Sequence, residues 1–168
     1  MSVARVVLAT VLLLPALLLQ TSVLSRLPLP GATPDLLLVV VIAFALSRGP
    51  ASGAVTGFAA GLLADLGADH ELGRVALAYA LVGYAAGLVH DDPDRSVLLP
   101  FAVVGMAAAA AVTVFAAEGV LLGDPRITVA AYLRSTLATV AYCVMLTPLV
   151  VPIVGGLLRR LDPEQLRR

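Results

Sequence analysis

The sequence holds no tryptophan and no lysine, has a single cysteine, and carries charge on only 13% of its residues. Each shortage closes off a class of function. One cysteine, Cys143, excludes an intramolecular disulfide, and in its apolar run it reads as a small buried hydrophobe rather than a reactive thiol. Four tyrosines and four phenylalanines leave little for an aromatic ligand cage. All eleven basic residues are arginine, which we read as coding bias, and eleven acidic residues balance them to a net charge of zero. A nucleic-acid partner would need a strongly basic surface, so none is expected. There is no nucleophile with a base and an orienting group, no HExxH, no phosphate loop and no Cys/His ligand spacing. The chain is therefore expected to have no catalytic residues, no cofactor and no metal.

What is plentiful is apolar surface. Of 168 residues 60% are hydrophobic, and the mean hydropathy is +1.01. Soluble domains are near half apolar and about a quarter charged. An all-α integral membrane protein is the expectation, because no lipid-exposed strand or loop is tolerated at bilayer depth. Six apolar runs predict six transmembrane helices in one polytopic domain, over residues 6–25, 34–47, 51–66, 74–89, 97–117 and 135–158. The first lacks a clear cleavage site and reads as a retained span, not a signal peptide.

The second and third runs fall short of the ~20 residues that usually span a bilayer. A re-entrant hairpin would bury Arg48 at its tip, at about 2.5–3.5 kcal/mol. Two short crossings joined at Ser47–Pro50 put that arginine in water and are preferred. Pro15, Pro148 and Pro152 lie inside spans and should kink them. With six crossings, seven arginines (5, 48, 95, 159, 160, 167, 168) share one side and four (26, 74, 126, 134) the other. The richer side should be cytoplasmic, which places both termini there.

In lipid, small residues four apart let helix backbones approach. Gly53, Gly57 and Gly61 make such a stripe, widened by Ala60 and Ala64, and Gly83 and Gly87 repeat it around Tyr84. Gly105 and Ala107–Ala111 offer a third small face. Asp65 closes the first stripe at the non-cytoplasmic end, where it can reach headgroups or water. It reads either as an acceptor for nearby backbone or a partner of Arg74, or as a polar anchor at a ligand or partner surface. His90–Arg95 and the His70 loop read as solvated turns, and Glu118 with Arg134 as an interfacial pair.

The stretch "TPDLLLVVVIAFALSRGPASGAVTGFAAGLLADL" (Thr33–Leu66), with "LGRVALAYALVGYAAGLV" (Leu72–Val89), resembles the bacterial rod shape-determining MreD family. The resemblance lies in Pro34-Asp35 before the second helix, the Arg48–Pro50 turn, the glycine-spaced helix ending at Asp65, Leu72-Gly73, and Gly83-Tyr84. It is specific over about a third of the chain and generic elsewhere. The asparagine usual in the family's fourth-helix stretch is Val75 here.

The resemblance implies a six-helix protein of the bacterial inner membrane, with a fold similar to the substrate-binding subunits of energy-coupling-factor vitamin transporters. It implies a place in the elongation machinery for lateral peptidoglycan synthesis. The implied partners are MreC and, indirectly, the actin-like MreB, the SEDS glycosyltransferase and the penicillin-binding transpeptidase. Asp35, Arg48, Gly53, Gly57, Gly61, Asp65, Gly83, Tyr84 and Gly87 are the candidate partner-binding or helix-packing residues.

A non-enzymatic scaffold is the first functional expectation. The alternative is the substrate-binding subunit of a small-metabolite transporter, whose polar candidates would be Asp35, Asp65, Glu118, Tyr132 and Arg134. A pore would want a polar line along one helix face, and no span has one.

Overall fold

The turn Ser47–Pro50 shows how local chemistry cuts the chain into helices. Gly49 sits at φ +83°, a left-handed value that a Cβ disfavours, and its N–H returns to the Ala45 carbonyl at 2.8 Å. Pro50 follows at the first position of the next helix, where a missing N–H costs nothing. One dipeptide thus stops one helix and starts another.

The computed structural model describes residues 3–26, 28–29, 31–67, 72–90, 96–123 and 128–161, with side chains from Ala9 to Arg160. Its α-helices are α1 (Val3–Ser22), α2 (Leu36–Arg48), α3 (Pro50–Asp65), α4 (Arg74–Gly87), α5 (Leu99–Leu121) and α6 (Val129–Leu161), with a 3₁₀ turn at Leu24–Arg26. Among the described residues there is no strand.

The helices alternate in direction, as their cross-links show. The Gln20 side chain near the end of α1 meets Leu37 at the start of α2, and Arg74 at the start of α4 meets Phe115 late in α5. Thr113 on α5 meets Tyr132 on α6, and Arg48 at the end of α2 meets Leu158 near the end of α6. One end of the bundle therefore gathers Asp35, Asp65, Arg74 and Glu118, and the other gathers Arg48, Arg159 and Arg160.

At the centre is α2, which packs against all five other helices. Every residue from Leu36 to Leu46 is buried, with Leu37, Leu38, Val39, Val41, Ile42 and Ala45 fully enclosed. A helix apolar on all sides belongs inside a bundle. Its 13 residues give only about 20 Å of length, which suffices because its neighbours, not lipid, surround it.

The outside is apolar too. Leu18, Phe58, Leu81, Met106, Leu137 and Met145 are all more than half exposed. Such a surface would associate in water and suits hydrocarbon. Helices α1, α5 and α6 are long and apolar enough to cross a bilayer by length and composition, whereas α2 and α4 are shorter apolar helices. Helix α6 starts at Val129, not at Ser135, because Thr128 accepts the Ala131 N–H at 3.2 Å and caps it. It then continues as one helix through Pro148 and Pro152.

Candidate functional site

Helices α3 and α4 meet backbone to backbone. A Cβ added at Gly57 would strike the Tyr79 carbonyl oxygen, one at Gly53 the Gly83 carbonyl oxygen, and one at Gly61 the Ala76 backbone. From the other side, Gly83 faces the Gly53 carbonyl and Gly87 faces Pro50. The bare stripe on α3 is thus occupied by α4 of the same chain. Tyr84 stands apart from this seam, half exposed on the outer surface of α4.

Asp65 sits where the seam ends. Gly73 N–H donates to its Oδ2 at 2.8 Å, Ala76 N–H to the same oxygen at 3.2 Å, and Val75 N–H to Oδ1 at 3.1 Å. Gly73 precedes α4 at φ +104° and has no side chain to cap it, so the carboxylate of α3 caps α4 from across the hairpin. The expectation that Asp65 reaches headgroups or water needs correction. It is 1% exposed, and the N–H groups replace water as its donors. Val75 supplies one of them from its backbone.

A buried ion pair lies beside it. Arg74 Nε is 4.0 Å from Glu118 Oε2, the Arg74 Nη2 donates to the Phe115 carbonyl at 3.3 Å, and the guanidinium lies 4.4 Å over the Phe115 ring. The pairing of Glu118 with Arg134 expected from the sequence also needs correction. Glu118 faces α4, while Arg134 is exposed on α6. Burial makes the closer arginine the one that counts.

At the same end, Asp35 opens α2. Its Oδ1 accepts the Leu38 N–H at 3.1 Å, its Oδ2 accepts the Tyr79 hydroxyl, and Gln20 Oε1 beside it accepts the Leu37 N–H at 2.9 Å. The Leu37 and Leu38 N–H groups at this buried helix start are thus met by α1 and by the cap residue itself. A cavity of about 500 Å³ opens next to this group, between the end of α1, the start of α4, α5 and α6.

At the opposite end, half-buried Arg48 donates from Nη2 to the Leu158 carbonyl at 3.3 Å, a cation at a helix C-terminus. Between the ends, α4 and α5 leave a second hollow of about 410 Å³ on the outer surface, lined among the described residues by Ala, Val, Leu and Met, with Ala85 and Ala110 at its exposed edge.

Of the residues singled out from sequence, Asp35 and Tyr132 line the cavity at the α2 start, and Asp65 lies in the hairpin cap. Sequence reasoning missed Gln20 and Tyr79. Gln20 is the one amide in the first apolar run, a usable signal; Tyr79 has none until α4 is laid against α2. His70 and residues 91–95 lie outside the described residues.

No curated protein and no solved structure matches the chain. A family model described as rod shape-determining protein MreD matches residues 1–160. An all-helical chain with apolar exterior, with that match over nearly its whole length, belongs to the MreD family of rod-shape-determining membrane proteins.

Proposed function

We propose that this protein is a non-enzymatic scaffold of the bacterial elongation complex, which holds an MreC-like single-span protein in the inner membrane and so supports lateral peptidoglycan synthesis. In this reading all six helices cross the membrane, with the arginine-rich end in the cytoplasm, and the bundle has the build of an energy-coupling-factor substrate-binding subunit. The short α2, α3 and α4 are accommodated by burial of α2 and by local thinning of the bilayer. MreB, the SEDS glycosyltransferase and the transpeptidase are reached through the partner.

The observation that carries this reading is the hollow between α4 and α5. Small residues at its edge and apolar side chains along its described lining suit the close approach of another membrane helix. The glycines of α3 and α4 act in folding, since their own hairpin uses them.

The test is co-purification of the full chain with the elongation proteins. Wild type should bring down an MreC-like protein in stoichiometric amount. Ala85→Leu with Ala110→Leu, both at exposed positions, should lose it while the chain still folds. Absence of any cell-wall protein from the wild-type sample would sink the scaffold reading. A second reading, the substrate-binding subunit of a small-metabolite transporter, is favoured by the cavity's mix of polar and apolar side chains; an ATP-hydrolysing partner in the same pull-down would support it.

A further inference from the structure

Hydroxyl side chains inside helices usually satisfy themselves by donating to the carbonyl one turn back. This protein follows that habit at Thr21, Ser47, Thr113, Thr136 and Thr147, each bonded to the carbonyl four residues earlier. Ser135 and Thr139 on α6 do not. Neither makes a side-chain hydrogen bond among the described residues, although Thr139 is only 7% exposed. Both line the cavity of about 500 Å³, and their spacing of four sets them on one helix face. Thr139 is buried and Ser135 half-buried, and a group bound in the cavity would supply the partner that each hydroxyl lacks within the chain.

The rest of the lining narrows the chemistry. Tyr132, one turn before Ser135 and Thr136, shares a hydrogen bond with Thr113 at 2.8 Å, which leaves its hydroxyl a further place. Opposite stand Leu38, Ala78, Val112 and Phe115, an apolar wall. Among the described residues no arginine lines the cavity, and Arg74 nearby is held by Glu118 and the Phe115 carbonyl. Among the described lining residues an anion therefore finds no countercharge. Among the described residues Asp35 is the one carboxylate in the lining, and it already accepts from Leu38 and Tyr79, which disfavours a cation. The volume lies within the usual range of small-molecule sites.

We propose that this cavity binds an uncharged amphipathic molecule, with hydroxyl groups against Ser135 and Thr139 and an apolar body against Val112 and Phe115. A free glycoside or the headgroup of a neutral glycolipid would present this chemistry. The site goes beyond the scaffold reading, because the α4–α5 hollow is a separate surface, and it deepens the small-metabolite reading, which rests on this same cavity.

The test uses the full chain purified in a zwitterionic detergent free of sugar. Phenyl β-glucoside serves as the free probe, monoglucosyl diacylglycerol in nanodiscs as the lipid-borne one, and phenyl β-glucuronide, equal in size but anionic, as control. Binding is read by thermal shift and by mass spectrometry of the retained ligand. One of the two neutral probes should raise the melting temperature, and Thr139→Val with Ser135→Ala should bind it about tenfold more weakly or worse. The ligand-free variant should melt no lower than wild type, since it loses only unpartnered hydroxyls. Protection by the free glucoside alone assigns a soluble ligand, and protection by the glycolipid alone assigns a lipid. Three results each overturn the proposal: no shift from either neutral probe, equal binding of the glucuronide, or unchanged binding by the double variant. Co-purification of the elongation partner by the same variant should persist, which separates failure here from failure of the scaffold reading.

Discussion

The Asp65 carboxylate holds the Val75 N–H at 3.1 Å, linking the last residue of α3 to the second residue of α4. With the bonds from Gly73 and Ala76, one buried side chain closes the α3–α4 hairpin at the end where its glycines run out. Asp65→Ala would strand those donors in a sealed site. We expect a loss of about 2–4 kcal/mol, with Asp65→Asn in between, read as the midpoint of unfolding in SDS titration. An alanine variant within ~0.5 kcal/mol of wild type would show that the cap is ornamental.

The glycine seam makes a sharper demand. Gly57→Leu must push α4 away, because the position faces the Tyr79 backbone and not a flexible side chain. Phe58→Leu, one residue on and 53% exposed, should be silent. Protease resistance in detergent and rescue of rod growth in a deletion strain should both fail for the first and hold for the second. Assembly and rod growth by Gly57→Leu would refute the seam.

Arg74 and Glu118 should show strong coupling. Removing either partner alone leaves a buried charge and is expected to cost about 3–5 kcal/mol, whereas Arg74→Met with Glu118→Leu should return most of it. Additive losses in this double-mutant cycle would mean that the two do not interact.

Topology is open to labelling, because the one cysteine of the chain is buried. In a Cys143→Ala background, Arg48→Cys and Leu72→Cys lie at opposite ends of the bundle, and Leu72 is 65% exposed. A membrane-impermeant maleimide should reach position 72 from outside intact spheroplasts and position 48 only in inverted vesicles. Labelling of both from one side would overturn the six-crossing arrangement.

Several of these features could be read before the fold was known. The break at Gly49–Pro50 follows from two residue types and holds in any surroundings. The stripe Gly53, Gly57, Gly61 announces close packing by its spacing alone. Its partner was less legible: a small-residue face says that a backbone will come near, not whose. Tyr79 and Gln20 illustrate the same boundary, since a tyrosine in an apolar run and an amide at its end gain meaning only when Asp35 lies between them. Glu118 was assigned the wrong arginine because distance along the chain says nothing about which helix stands next to α5.

Composition and period were enough to dictate lipid as the solvent, helix as the only backbone form, and the approximate places where each helix stops, because those depend on each residue's own preference and its near neighbours. The packing order of the helices decided the rest: that α2 is enclosed, that Asp65 is capped off from water, and that two α6 hydroxyls face an open space. Such outcomes arise between segments far apart in the chain, where the free energy depends on which surfaces end up in contact.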